Sequence, residues 1–155
     1  MTRRSGKPRS RRRRKTKLPR GTRGAIVLDS GAVTKLAEGD ALACTVVEDL
    51  TQRGWTTCIP AVTLAEVVTG HARPDAAVDH LVRRLGQTID CDPALARSAG
   101  ALRAHARKTQ ARPSGIDAIV AALAEARQPS VVLTSDPEDL DALLVAAEQA
   151  MVMAI

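Results

Sequence analysis

In the stretch Ala25-Ile26-Val27-Leu28-Asp29-Ser30-Gly31, four consecutive apolar residues lead directly into an acid and a turn. A short apolar run that ends at a turn is typical of a buried strand. The same pattern recurs at Val131-Val132-Leu133, and weaker versions lie at residues 56–59 (stopped by Pro60), 88–89 and 151–155. The sequence therefore predicts four or five strands spread along the chain.

Between these predicted strands, apolar residues recur with helical spacing. One helix is predicted over residues 61–70, and five more are marked by apolar stripes. The first two stripes end at a glycine: Leu42, Val46, Val47 and Leu50 before Gly54, and Val78, Leu81, Val82 and Leu85 before Gly86. The other three are Leu95, Ala99, Leu102 and Ala106; Ile116, Ile119, Val120 and Leu123; and Leu140, Leu143, Leu144 and Ala147. The strands are continuous apolar runs that alternate with helices, a pattern typical of a parallel sheet covered on both faces. We therefore predict an α/β fold, a three-layer α/β/α domain with a four- or five-stranded parallel sheet.

Charge divides the 155 residues into two parts. Residues 1–23 carry nine Arg, three Lys and no acid, whereas the remaining residues carry 11 basic side chains and all 17 acidic ones. The first part cannot bury apolar surface, so we predict a basic arm over residues 1–23 that is disordered when alone, followed by a folded domain over 24–155.

Composition also excludes several classes of protein. Trp55 is the only aromatic residue, which excludes nucleic-acid binding on a platform of stacked aromatic rings. Cys44, Cys58 and Cys91 are an odd number without C-x-x-C spacing, which argues against a disulfide framework or a zinc site and indicates a reducing compartment. No apolar run approaches the length of a membrane span, so we expect a cytoplasmic protein without membrane association.

Four acids lie where function collects in open α/β sheets, near the carboxyl ends of strands. Asp29 and Asp136 follow two predicted strands, Glu66 lies in the helix after the second strand, and Asp117 lies in the first turn of a later helix. Each acid alone has a structural explanation: Asp29 and Asp136 as helix N-caps, Glu66 as the partner of Thr63 in a capping box, and Asp117 as a complement to the helix dipole.

Taken together, the four acids favour a shared site. Glu66 and Asp117 are surrounded in sequence by apolar residues, where an unpaired buried charge is costly, and only Lys35 and Arg112 are basic neighbours of any of the four. Two carboxylates about 4 Å apart repel by about 4 kcal/mol at an effective dielectric near 20. In such a cluster either the pKa values of the carboxyl groups rise or a cation neutralises them.

An all-oxygen cluster selects Mg²⁺ or Mn²⁺, and such a site catalyses phosphodiester hydrolysis by activating a water molecule. The three histidines, at positions 71, 80 and 105, share no ligand spacing with the acids. No Ser or Cys nucleophile with a His partner is evident, which disfavours covalent catalysis.

The sequence resembles the PIN-domain ribonucleases, most closely the VapC-type toxins of bacterial toxin–antitoxin pairs. The resemblance covers residues 25–155 and rests on four segments in order: Ile26-Val27-Leu28-Asp29-Ser30, Pro60-Ala61-Val62-Thr63-Leu64-Ala65-Glu66, Gly115-Ile116-Asp117-Ala118-Ile119-Val120-Ala121-Ala122 and Val132-Leu133-Thr134-Ser135-Asp136. It implies Asp29, Glu66, Asp117 and Asp136 as the catalytic and metal-binding quartet around Mg²⁺ or Mn²⁺. Thr134 and Ser135 match the polar pair before the last acid, and Asp139 is a weaker candidate whose capping role is favoured.

The resemblance also implies an endoribonuclease specific for single strands, with tRNA or ribosomal RNA as typical targets. It further implies a homodimer and a cognate antitoxin that blocks the acidic site. The basic arm departs from the family pattern, and three interpretations stay open: an RNA-binding extension, a segment that binds an acidic partner, or a stretch upstream of the true start of translation.

Other functions fit the residues less well. A haloacid dehalogenase-type phosphatase needs a second Asp two positions after the first, where this chain has Gly31, and a receiver domain needs an acidic pair that is missing. The non-enzymatic alternative is a nucleic-acid-binding protein that acts through its Arg-rich arm, with the acids serving only as helix caps.

Overall fold

A computed structural model of the chain describes residues 23–85, 87–109 and 111–155. In these residues, five strands form one sheet in the order β3-β2-β1-β4-β5, and every neighbouring pair is parallel. The strands are β1 (Ala25–Leu28), β2 (Thr56–Pro60), β3 (Thr88–Ile89), β4 (Ser130–Thr134) and β5 (Ala150–Ala154). The predicted parallel sheet is confirmed with five strands, while the predicted arm lies outside the described residues except for Arg23.

The helices connect successive strands and cover the sheet. They are α1 (Ser30–Glu38), α2 (Ala41–Gln52), α3 (Leu64–Val67), α4 (Ala72–Leu85), α5 (Pro93–Ala106), α6 (Gly115–Ala126) and α7 (Pro137–Leu143), with short 3-10 turns at Ala61–Thr63 and Arg107–Thr109. None of the described helices is long and apolar enough to cross a bilayer.

Two apolar cores lie on opposite faces of the sheet, as the predicted three-layer architecture requires. Val27 and Val132 pack on one face with apolar residues of α5, α6 and α7, whereas Ile26, Leu28 and Val131 pack on the other with α1, α2 and α4. Successive side chains of a strand point to opposite faces, so a central strand covered on both sides must be apolar throughout. This is why β1 and the middle of β4 (Val131, Val132 and Leu133) are continuous apolar runs.

Three helix predictions need correction. The segment after β1 forms two helices, because Gly39 ends α1 in the left-handed region (φ 77°) and Asp40 caps α2 by accepting from the Ala43 N–H. Leu42 is not on the buried face: it is 57% exposed, and Ala43 packs inward instead.

The other two predicted helices are shorter than the sequence suggested. Residues 61–70 form a 3-10 turn followed by the four-residue α3, which ends as Val68 becomes extended. Helix α7 ends at Leu143, before Ala147.

Candidate active site

A cavity of about 290 Å³ opens where β1 and β4 end. The two strands finish at the same level, because the Asp29 N–H donates to the Leu133 carbonyl at 3.1 Å. The residues around the cavity are mostly acids and small polar residues; they are Asp29, Ser30, Gly31, Glu66, Ser114, Asp117, Ser135, Asp136 and Asp139. The structure thus places all four predicted acids, together with Ser135 and Asp139, around one space.

Asp29 is the buried acid of the cavity, with only 6% of its surface exposed. Its Oδ2 accepts a 2.8 Å hydrogen bond from Thr134 Oγ1, whereas its buried Oδ1 has no hydrogen-bond partner among the described residues. Burial raises the pKa of Asp29 above its usual value, and the charges of Asp117 and Glu66 raise it further. The hydrogen bonds from Thr134 and the Ser30 backbone lower the pKa and oppose this shift.

Thr134 links the two acids that follow β1 and β4. Its hydroxyl donates to Asp29 and accepts from the backbone N–H of Asp136 at 3.0 Å. Asp136 occupies the N-cap position of α7 but makes no capping bond with its side chain, and Asp29 likewise makes none at α1. Capping therefore does not explain either acid.

The capping box lies at a different acid from the one the sequence suggested. The Ser114 N–H donates to Asp117 Oδ2 at 2.8 Å, and the Asp117 N–H donates to Ser114 Oγ at 3.0 Å. Thr63 has a helical backbone, and its hydroxyl donates to the Pro60 carbonyl, so the predicted capping box with Glu66 is wrong. Ser114 stabilises the start of α6 and fixes the position of Asp117, a role that the pattern Ser114-x-x-Asp117 could have indicated.

The sequence predicted unpaired buried charges at Glu66 and Asp117, but the buried acid is Asp29. Glu66 is exposed and Asp117 is half-buried, although apolar residues flank both in sequence. The four-residue α3 and the first turn of α6 place these side chains at the rim of the cavity.

Five carboxylates line the cavity, at Asp29, Glu66, Asp117, Asp136 and Asp139. In the described part of the chain, none of these acids forms an ion pair with Lys or Arg. Lys35, the basic neighbour of Asp29 in sequence, donates instead to the Ile155 carbonyl at 2.6 Å. The site is therefore strongly electronegative.

The donor atoms fit a hard divalent cation. All are oxygens, and the unpartnered Oδ1 of Asp29 is a buried acceptor that lacks a counter-charge. Within residues 23–85, 87–109 and 111–155, no three His, Cys, Asp or Glu side chains are grouped closely enough to hold one ion in the conformation observed. Mutual repulsion between carboxylates favours such a separation.

Gly31 makes room for Ser135 at the cavity wall. A Cβ atom on Gly31 would collide with Ser135 Oγ and would lie 3.0 Å from Ser135 Cβ. Glycine therefore lets the first turn of α1 approach the residue after β4. The sequence alone gives no sign of this contact, because Gly31 and Ser135 are far apart along the chain.

Comparison with known proteins agrees with this fold. The sequence matches the PIN domain family over residues 26–143, and the chain belongs to that family. No curated protein matches the sequence.

Among solved structures, a chain of VapBC2 from Rickettsia felis, bound to a promoter DNA fragment, is similar with a TM-score of 0.68 and 15% identity. The match covers 84% of this chain and 98% of that chain. FitAcB from Neisseria gonorrhoeae gives a TM-score of 0.61 at 17% identity, covering 83% and 96% of the respective chains. VapBC-5 from Mycobacterium tuberculosis, a member of the VapBC family of toxin–antitoxin systems, gives a TM-score of 0.55 at 21% identity. That match covers 85% of this chain and 99% of the VapBC-5 chain. At these identities the likeness concerns the fold.

Proposed function

We propose that this protein is a metal-dependent endoribonuclease, an enzyme that hydrolyses RNA phosphodiester bonds with Mg²⁺ or Mn²⁺. The observation that carries the proposal is the unpartnered, buried Oδ1 of Asp29 at the centre of a five-acid cavity. A purely structural carboxylate would be paired, because leaving a buried charge unsatisfied destabilises a fold. Membership of the PIN domain family supports a nuclease.

The four acids Asp29, Glu66, Asp117 and Asp136 would hold the cation, with Asp29 as the fixed ligand. Thr134 holds the Asp29 carboxylate in place, and the Ser114 cap positions Asp117. A bound divalent ion supplies two things: it lowers the pKa of a water molecule and neutralises charge at the scissile phosphate. Thr134 ends β4 and Ser135 follows it, and Ser135 lies at the cavity where its hydroxyl can contact water or phosphate.

We further infer that the protein is the toxin of a type II toxin–antitoxin system and acts in the cytoplasm. The structural likeness to chains of VapBC complexes supports this role. The partners are then a cognate antitoxin and an RNA substrate, tRNA or ribosomal RNA, with a homodimer as the expected assembly.

Cleavage of single-stranded RNA by the purified protein tests the enzymatic proposal. We expect cleavage with Mg²⁺ or Mn²⁺, none with EDTA, and none by the Asp29→Asn variant. The control is the Asp49→Asn variant, which should cleave normally. Asp49 is an exposed acid of α2 that pairs with Arg53, the residue after the helix.

Full activity in EDTA, or in the Asp29→Asn variant, would refute the four-acid site. RNA binding without metal-dependent cleavage would favour the alternative, a non-catalytic nucleic-acid-binding protein that acts through residues 1–23.

A further inference from the structure

Positive charge in the folded domain is concentrated between the start of α5 and the start of α6. Residues 93–116 contain five Arg or Lys and no Asp or Glu, whereas the rest of residues 24–155 carries six basic and 17 acidic side chains. We call four of these residues, Arg103, Arg107, Lys108 and Arg112, the cationic ledge. An otherwise acidic domain therefore has one strongly basic segment.

The cationic ledge lies beside the acidic cavity. Helices α5 and α6 pack against each other, and Arg103 Nε donates to the Pro113 carbonyl at 3.0 Å. The next residue, Ser114, lines the cavity and caps the helix that carries Asp117. The end of α5 is thus fixed at the edge of the proposed active site.

The charged groups of the ledge are available for a ligand. Arg107, Lys108 and Arg112 are exposed, and in the described ranges none of them forms an ion pair. Favourable interaction with a helix dipole accounts for cations near the C-terminal end of α5, but not for Arg112. Arg112 precedes the N-terminal end of α6, where a positive charge is unfavourable for the helix.

An RNA substrate needs such a surface. A cavity with five carboxylates repels a polyanion, so cations must hold the phosphates that flank the scissile one. Base stacking on Trp, Phe or Tyr is excluded for the folded domain, because Trp55 is the only such residue of the chain and is 4% exposed. Arginine binds phosphate oxygens in a two-pronged geometry, and three of the four ledge residues are Arg.

We propose that the cationic ledge binds the sugar–phosphate backbone of the RNA strand next to the acidic cavity. This inference rests on the proposed ribonuclease function and adds to it the surface that places the substrate. The ledge contacts phosphates rather than bases, so it contributes affinity without sequence specificity.

Binding of a fluorescently labelled single-stranded oligoribonucleotide to the full chain in EDTA tests the proposal. Fluorescence anisotropy is measured over a range of salt concentrations for the wild type and for the triple variant Arg107→Gln/Lys108→Gln/Arg112→Gln. The matched control is Arg73→Gln/Arg83→Gln/Arg84→Gln, which removes the same charge from exposed positions of α4. Helix α4 covers the opposite face of the sheet from α5.

The ledge triple is expected to reduce the slope of log affinity against log salt by about 2, since each phosphate contact of a single strand contributes about 0.7. This corresponds to about 100-fold weaker binding at roughly 0.1 M salt. With Mn²⁺ present, KM for RNA cleavage should rise for the ledge triple and stay at the wild-type value for the α4 triple.

Equal slopes of log affinity against log salt for the two triple variants, with RNA cleavage intact, would overturn the proposed role of the cationic ledge. The ribonuclease proposal would then still stand. A reduced slope for the ledge triple alone, in a protein that cleaves no RNA with any divalent ion, would support the ledge as an RNA-binding surface and remove the ribonuclease proposal.

Discussion

Replacing Asp29 with Asn is expected to stabilise the metal-free protein while it abolishes activity. The wild-type carboxylate buries Oδ1 without a hydrogen-bond partner among the described residues. An unsatisfied buried polar atom costs about 1–3 kcal/mol, and more when it is charged. In the variant the amide oxygen can still accept from Thr134, and the amide NH₂ can face Asp117 and Glu66, whose charges raise the pKa of the native acid.

The expected gain is about 1–3 kcal/mol in the free energy of unfolding at neutral pH. For a chain of this size, 1 kcal/mol corresponds to about 2–4 °C in Tm, so Tm should rise by roughly 2–12 °C. The exposed control Asp49→Asn loses only a surface pair with Arg53 and should change stability by less than about 1 kcal/mol.

The pH dependence of this gain has a definite sign. The folded protein raises the pKa of Asp29 above 3.8, so in the window just above 3.8 the folded state binds more protons than the unfolded state. The free energy of unfolding of the metal-free wild type therefore falls as the pH rises through that window. The advantage of Asp29→Asn should be largest above the folded pKa and should shrink as the pH falls toward 3.8.

Urea unfolding and thermal melting of both proteins in EDTA, at several pH values, measure this difference. Adding Mn²⁺ should stabilise the wild type by about 2.7 kcal/mol at a concentration 100 times its dissociation constant, and should not stabilise the variant. A variant less stable than the wild type in EDTA, or stabilised equally by Mn²⁺, would refute the interpretation of Asp29 as an uncompensated metal ligand.

Three further substitutions test the supports of the cavity. Thr134→Val removes the hydroxyl that donates to Asp29 Oδ2 and should cost about 1–3 kcal/mol in urea unfolding. Because this hydrogen bond lowers the pKa of Asp29, the variant should also move the acid limb of the pH–activity profile upward, whereas Thr134→Ser should preserve both properties. Gly31→Ala should cost about 1–3 kcal/mol through its collision with Ser135, and a double-mutant cycle with Ser135→Ala should recover part of that loss. Ser114→Ala removes the cap of α6 and should cost about 1 kcal/mol, and a stability equal to the wild type would contradict the capping box.

The sequence predicted the sheet because its strands had to be apolar on both faces. The run Ala25–Leu28 and its counterpart before Thr134 could not be amphipathic, since each central strand is covered by helices on two sides. Spacing was less informative for the helices. Leu42 fitted an apolar stripe, yet it is exposed because the Gly39 turn and the Asp40 cap set where α2 begins and therefore which face packs inward.

The chain alone also pointed to the acids that surround the cavity, since residues after neighbouring parallel strands meet at one edge of a sheet. It could not assign their separate states. Asp29 is buried and Glu66 is exposed, because the burial of each side chain depends on elements far away in the sequence. Asp117 is the exception, since its capping box with Ser114 is local. The Thr134–Asp29 bond joins residues 105 positions apart, and the fit of Gly31 against Ser135 exists only once β1 and β4 lie side by side. Local sequence thus indicated the four acids that surround the cavity, whereas the packing of distant elements determines which carboxylate oxygen is left without a partner among the described residues.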